Sequence, residues 1–163
     1  MRIILDGMGG DNAPAAVVEG AVIASKEISH EIVIVGKEEL INKELKKYKY
    51  NKEKITVIDA REVISNDEAP VRAVRSKKDS SIVRGINMVK NGEGDVFVSA
   101  GSTGALLSGG LFILGRIQGI DRPVLACIYP IVGGEPSLLV DAGANADCKP
   151  NNLLEFGIMG NIY

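Results

Sequence analysis

The chain has 163 residues, 45% of them hydrophobic, with 19 Lys and Arg against 21 Asp and Glu. That is enough for one sizeable core, and a formal charge of −2 predicts no long-range field for nucleic acid. Cys127 and Cys148 fit no zinc or redox spacing and read as buried thiols. His30 belongs to no catalytic triad and reads as an exposed residue.

Arg2–Leu5 reads as a first strand, followed by a Gly/Asp/Asn loop over Asp6–Pro14. Pro14 suits the first turn of a helix because its missing N–H costs nothing there. Val17, Val18, Ala21, Val22 and Ser25 then recur at helical spacing. Glu31–Val35 is a second strand closed by Gly36. Glu38–Lys49 reads as a surface helix with Leu40, Ile41 and Leu45 on its apolar side. Ile55–Ile58 is a third strand, and its short, continuous apolar character suits a covered parallel sheet.

A loop is predicted over Ala60–Ala69 and a short helix over Val71–Lys77. Asp79, Ser80 and Ser81 supply N-cap chemistry for a helix lined by Ile82, Val83, Ile86 and Val89. Asn91 and Gly92 end that helix. Val96–Ser99 is the next strand, and Thr103–Ile117 reads as a largely buried helix. Its Gly109-Gly110 pair marks either a close packing point or a kink. The uncharged stretch Val96–Gly115 is broken by Ser99, Gly101, Ser102, Thr103 and Gly104, so it reads as strand, turn and helix rather than a membrane span. Val124–Tyr129 and Leu138–Val140 are strands that Gly133-Gly134-Glu135-Pro136 could join as a turn, which would make the sheet mixed. Pro150–Ile162 is a helix with an apolar side from Leu153, Leu154, Phe156, Ile158 and Ile162. It reaches Tyr163 with no stop signal, so residues 1–163 read as the N-terminal portion of a longer α/β domain.

The alternation of strand and helix predicts an α/β sandwich. Three strand-to-helix junctions carry the chemistry: Asp6–Pro14, Ser99–Gly104 and Asp141–Pro150. If their strands are parallel, they share the sheet edge where open α/β proteins place ligands. The middle junction is the phosphate candidate. Gly101 and Gly104 allow close backbone approach, Ser102 and Thr103 offer hydroxyl donors, and the helix start offers free N–H groups. The same residues also fit an ordinary helix cap. The loop is neither a lysine-bearing phosphate loop nor a dinucleotide fingerprint.

Asp6 supports its turn, takes part in chemistry or binds a cation; Asp6, Gly9, Gly10, Asn12 and Asp141 are read as loop-supporting residues, with no metal assigned. Asn145, which both donates and accepts, and Lys149, at a helix entrance, are candidates for orienting a carbonyl or phosphate. Arg72, Arg75, Lys77 and Lys78 form a dense basic element, read either as an anion site or as a soluble surface.

These segments resemble the phosphate acyltransferase (PlsX) family of bacterial phospholipid synthesis. The resemblance rests on DGMGGDNAP at 6–14, EAPVRAVRSKKDSS at 68–81, VSAGSTGAL at 98–106, GRIQGIDRP at 115–123 and DAGANADCKP at 141–150. It implies a three-layer α/β sandwich with a mostly parallel or mixed sheet, similar to isopropylmalate-dehydrogenase-like and phosphotransacetylase folds. The implied reaction moves an acyl group from acyl carrier protein to inorganic phosphate. No cofactor is implied, since phosphopantetheine is carried by the substrate. The implied partners are acyl carrier protein, phosphate and a second copy of the chain in a homodimer, with no nucleic acid. The implied location is the cytoplasm, with peripheral association of the complete protein at the inner membrane face.

On that resemblance Gly101, Ser102, Thr103 and Gly104 bind phosphate, while Asn145, Lys149 and Lys78 act on the reacting groups. Arg72 and Arg75 meet the carrier. The alternatives are a phosphotransacetylase-like enzyme using acyl-CoA and a noncatalytic anion-binding module.

Overall fold

Continuous apolar runs at Arg2–Asp6 (β1) and Glu31–Gly36 (β2) suit strands covered on both faces. In the computed structural model, which describes residues 1–163, they pair in parallel, with Ile4 opposite Val33 and Asp6 opposite Val35. Ile55–Asp59 (β3) adds in parallel to β2 and Val96–Val98 (β4) to β1. The sheet order is β3-β2-β1-β4. The chain divides into two units, Met1–Leu114 and Gly115–Tyr163, and this sheet belongs to the first.

Successive strand residues point to opposite faces, and each face has its own helices. Ile32 and Ile34 pack with Val18, Ala21 and Val22 of α1 (Ala15–Glu27) and Ile41 and Leu45 of α2 (Glu38–Leu45). Ile4, Val33 and Val35 pack with Met88 of α4 (Ser81–Lys90). A further cluster joins α4 to Ala73 and Val74 of α3 (Pro70–Ser76) and Ala105 of α5 (Thr103–Gly109). The result is the expected three-layer α/β sandwich.

The order of connections positions the site. β1 to β2 to β3 steps one way, through α1 and α2. The return from β3 through α3 and α4 places β4 on the far side of β1. The loops after β1 and β4 therefore part at the C-terminal ends of adjacent strands, the arrangement that opens a ligand crevice.

The second unit holds an antiparallel pair, β5 (Ala126–Tyr129) and β6 (Ser137–Val140), joined through the predicted turn with Gly133 at φ +72°. Its helix α6 (Pro150–Ile162) places Pro150 in its first turn. No helix of the structure is long and apolar enough to cross a membrane.

Several expectations need correction. α2 stops at Leu45, not Lys49, and Leu40 is exposed. One turn brings Tyr48 back onto the core instead. The helix beginning at Thr103 does not run to Ile117. It ends as α5 at Gly109 and continues as one π-helical turn, Gly110–Leu114. Gly115 then adopts φ +100°, a conformation disfavoured for other residues.

That segment is only partly buried: Phe112 is 50% and Leu114 52% exposed, and Ile117 lies outside it, also exposed. Gly109 is a packing point against Ile86, whereas Gly110, with open space at its Cβ position, marks the switch in helix type. β5 begins at Ala126 rather than Val124. On α6 only Asn152 and Phe156 are buried; Leu153, Leu154, Ile158 and Ile162 are exposed. Both cysteines are exposed rather than buried, and His30 is half-buried rather than exposed.

Candidate functional site

β1 ends in Asp6, whose side chain is 1% exposed. A carboxylate so placed needs donors. Met8 N–H donates to Oδ1 at 3.0 Å, and the Ser99 hydroxyl, just beyond β4, donates to Oδ2 at 2.7 Å. Ser99 Oγ in turn accepts from Gly101 N–H at 3.0 Å. One relay of polar contacts thus joins the first loop to the second.

The loops touch through glycine. A Cβ on Gly9 would stand 2.6 Å from Asp6 Oδ2 and 2.7 Å from Gly101 N, so no side chain fits between them. Gly10 lies at φ +97° against Ala100. Gly9 and Gly10 donate no backbone hydrogen bond within the chain. A buried amide is nearly always paired, so the buried Gly9 N–H is a donor available to a ligand.

Two crevices flank this contact. One, of about 410 Å³, is largely apolar and lies between Ala13, Ala16 and Val17 at the start of α1 and Val98–Ala100. The other, of about 290 Å³, is polar. It faces Gly9, Gly10, Asp11 and Gly101 across to Val63–Asp67. Asp11 and Asp67 are its acidic members, and no Lys or Arg lines it.

Of the expected phosphate-binding residues, Gly101 lines the polar crevice. Ser102 is buried and caps α5, its hydroxyl accepting from Ala105 N–H at 3.3 Å. Thr103 is exposed, and the first N–H groups of a helix have no intrahelical acceptor. Gly104 is required by contact: a Cβ there would meet Pro70 Cγ at 2.7 Å. Asn12 lines the apolar crevice, and its carbonyl accepts from Ala16 N–H at the start of α1.

The basic element is divided. Arg72 is exposed beside a separate hollow lined by Glu68, Ala69, Ala73 and Ser76. Arg75 lies over the Phe112 ring, 5.2 Å from its centroid, a cation–π contact. Lys78 Nζ donates to Val74 O at 3.2 Å. None of the three lines either crevice. Arg84 pairs with Asp79 at 3.0 Å and also donates to the Asp59 carbonyl, so it ties α4 to the end of β3.

The predicted 60–69 loop contributes Val63–Asp67 as one wall of the polar crevice. Lys77, read only as part of the basic cluster, holds that wall from behind through Val63 O and Glu68 Oε1, each at 2.7 Å. The Ser-Asn-Asp-Glu run at 65–68 was its one sequence signal, since such residues bond to nearby backbone in turns.

In the second unit Asp141 organises its own loop. It accepts from Leu125 N–H at 2.8 Å, Asn145 N–H at 2.7 Å and Asn145 Nδ2 at 3.1 Å. Burial pushes this carboxyl up, but the Leu125 and Asn145 donors outweigh it and hold the carboxyl below its ordinary value. Asn145 Nδ2 also donates to Pro123 O at 3.0 Å. Both amide hydrogens are thereby taken, so Asn145 is not the free donor the sequence suggested. Lys149 begins α6 with its N–H on Asn152 Oδ1 at 3.0 Å, and the residue is exposed.

The matches to known proteins extend over the same loops. Residues 1–163 match the family described as fatty acid synthesis protein. A phosphate acyltransferase of Alkaliphilus oremlandii is 57% identical over all of this chain and 48% of its own length. The one from Clostridioides difficile is 53% identical over the same shares. A crystal structure of a phosphotransacetylase from Streptococcus pyogenes superposes with a TM-score of 0.69 at 26% identity, covering 97% of this chain and 51% of that one. The chain spans about half the length of the curated relatives it matches. With that match running from Met1 to Tyr163, the chain belongs to the fatty acid synthesis protein family, the PlsX family of phosphate acyltransferases.

Proposed function

We propose that the complete protein transfers an acyl group from an acyl-carrier-protein thioester to inorganic phosphate, giving acyl phosphate and free carrier for phospholipid synthesis. A phosphate oxygen attacks the thioester carbonyl, a tetrahedral oxyanion forms, and the C–S bond breaks as the phosphopantetheine thiol takes a proton. Phosphate is itself the nucleophile, so the mechanism uses neither cysteine and no acyl-enzyme. Donors fixed in advance around the anions supply the catalysis.

The observation that carries this reading is the convergence of Gly9, Gly10 and Gly101 at the split between β1 and β4. It offers the unpaired Gly9 and Gly10 amides beside a polar crevice, with the Gly101 amide held on Ser99 Oγ. Gly101, Ser102, Thr103 and Gly104 are assigned to phosphate, with Asp6, Gly9, Gly10 and Asn12 shaping the loops. The polar crevice has no cationic lining, so the pull on phosphate comes from backbone N–H groups and hydroxyls.

Arg72 and Arg75 are assigned to the acidic carrier, and Lys78 to the reacting groups or the phosphopantetheine phosphate, supported by their exposure. In the second unit Lys149 is assigned an anion-contacting role on its exposed position, and Asp141 with Asn145 shapes that loop. The complete protein is proposed to act as a homodimer in the cytoplasm, associating peripherally with the inner membrane face.

The structural similarity to a phosphotransacetylase favours one second reading, in which the donor is an acyl-CoA. Phosphate-dependent acyl transfer by the complete protein, with carrier-protein and CoA thioesters side by side, separates the two. A preference for acyl carrier protein is expected. Preference for short acyl-CoA would replace the substrate assignment, and no transfer to phosphate from either donor would overturn the reaction.

A further inference from the structure

The polar crevice has one fixed wall and one wall made by a loop. Gly9, Gly10 and Gly101 extend directly from β1 and β4. The opposite wall, Val63–Asp67, belongs to the connection between β3 and α3. Such a loop needs anchors to hold a shape. Its entrance is held by the Glu62–Ser80 bridge and by Glu62 N–H on Asp79 O at 3.1 Å. Ile64 is its apolar anchor, 6% exposed in the cluster with α3 and α4.

The remaining polar contacts centre on Lys77. Its ammonium donates to Val63 O and Glu68 Oε1, each at 2.7 Å. The same Glu68 oxygen accepts Ser65 N–H at 2.8 Å. Lys77 and Glu68 side chains are 30% and 31% exposed, so this is a half-sheltered pair with two further backbone partners rather than a loose surface pair. One ammonium thus closes the turn from Val63 to Glu68.

We propose that Lys77 is a positioning residue for the anion site, holding the 63–68 loop as the second wall of the crevice facing Gly9, Gly10 and Gly101. Lys77 lies behind that wall and touches no substrate. Its charge is matched by Glu68 and adds no net pull on phosphate; its contribution is to keep Ser65, Asn66 and Asp67 at a fixed distance from the glycine loops. This rests on phosphate occupying that crevice, as proposed above. It predicts a selective defect for Lys77→Met, because Ser65, Asn66 and Asp67 line the phosphate crevice while Arg72 and Arg75, on α3, do not.

The test uses the complete protein with Lys77→Met, Lys77→Arg and Glu68→Gln, read by steady-state kinetics and by hydrogen exchange with inorganic phosphate as the probe. Lys77→Met is expected to raise KM for phosphate about fivefold or more while KM for the thioester stays within about twofold. Lys77→Arg, which can reach both acceptors, is expected to restore most of the loss, and a merely structural role would lower kcat without that split. Phosphate is expected to protect residues 63–68 together with 9–11 in the wild type, and less so in Lys77→Met. A folded Lys77→Met protein with wild-type KM for phosphate overturns the proposal. If Lys77→Met does not fold, Glu68→Gln decides, and an unchanged KM for phosphate overturns it again. If the wild type transfers no acyl group, the reaction assignment falls. Exchange alone then judges Lys77: phosphate protection of 63–68 that the variant loses sustains the proposal, and its absence ends it.

Discussion

The Ser99 hydroxyl donates to the buried Asp6 carboxylate at 2.7 Å, joining the ends of two adjacent parallel strands that lie 93 positions apart in sequence. Everything assigned to the anion site depends on that junction. Ser99 also accepts Gly101 N–H, so Ser99→Ala leaves both an acid and an amide short of a partner. The expected cost is about 1–3 kcal/mol, the range for stranding a buried polar group. It is read as a lowered urea midpoint with unchanged slope in the complete protein.

Gly9 allows that junction to close. Gly9→Ala puts a methyl carbon 2.6 Å from Asp6 Oδ2 and 2.7 Å from Gly101 N, and neither atom is the end of a flexible chain. The loops must separate, at a cost of about 1–3 kcal/mol by the usual scale for overpacking, together with a marked loss of phosphate affinity. Gly20, on the exposed side of α1 with open space at its Cβ position, is the contrast. Gly20→Ala is expected to stabilise by about 0.5–1 kcal/mol and to leave phosphate affinity unchanged. Paired denaturation and phosphate titrations of the two variants check both statements.

Asp67 stands on the rim of the polar crevice and is exposed, so its charge repels a bound anion through solvent. Asp67→Asn is expected to tighten phosphate binding by a factor of about two to three at low salt, with the gain fading as the Debye length shortens to about 10 Å near 0.1 M ionic strength. Isothermal titration with phosphate at two salt concentrations measures it.

The three-layer order was legible in the sequence because β1, β2 and β3 are short apolar runs, α4 carries clear 3.6-residue periodicity, and the buried Val18, Ala21, Val22 and Ser25 of α1 recur at helical spacing. Helix ends were less legible. An uncharged run such as Thr103–Gly115 gives no charged face to show where burial stops, and the termination lies in Gly115 at φ +100° and a change to π geometry at Gly110. The glycine loops were visible as candidates, but the Asp6–Ser99 bond was not, since strand order decides which distant residues meet. The Lys77–Glu68 pair was hidden for another reason. In a run of Arg, Lys and Asp, composition cannot tell an ammonium turned onto Val63 O from one facing water. At Asn145 the versatility was legible but its local use was not: its amide hydrogens go to Asp141 and Pro123.

Asp141 gives the second unit a pH dependence. Its carboxyl is held below the ordinary value because the donors from Leu125 and Asn145 outweigh its burial. A carboxyl with a depressed folded-state pKa binds protons more readily when unfolded, so its stabilisation is complete above the unfolded value of about 3.9. It is lost as pH falls through the lower folded-state value. Asp141→Asn is therefore expected to be less stable than the wild type at neutral pH, the gap narrowing below about pH 4. Thermal unfolding of both proteins across that range tests the sign.

Phosphate is assigned to the amides of the loops following β1 and β4. The most direct measurement is a titration of inorganic phosphate into the isotopically labelled complete protein, following backbone amide resonances. Saturable shifts centred on Gly9, Gly10, Gly101, Thr103 and Gly104, weakened by Gly9→Ala, are the expected result. Saturable binding that leaves those amides unmoved and shifts others instead would contradict it.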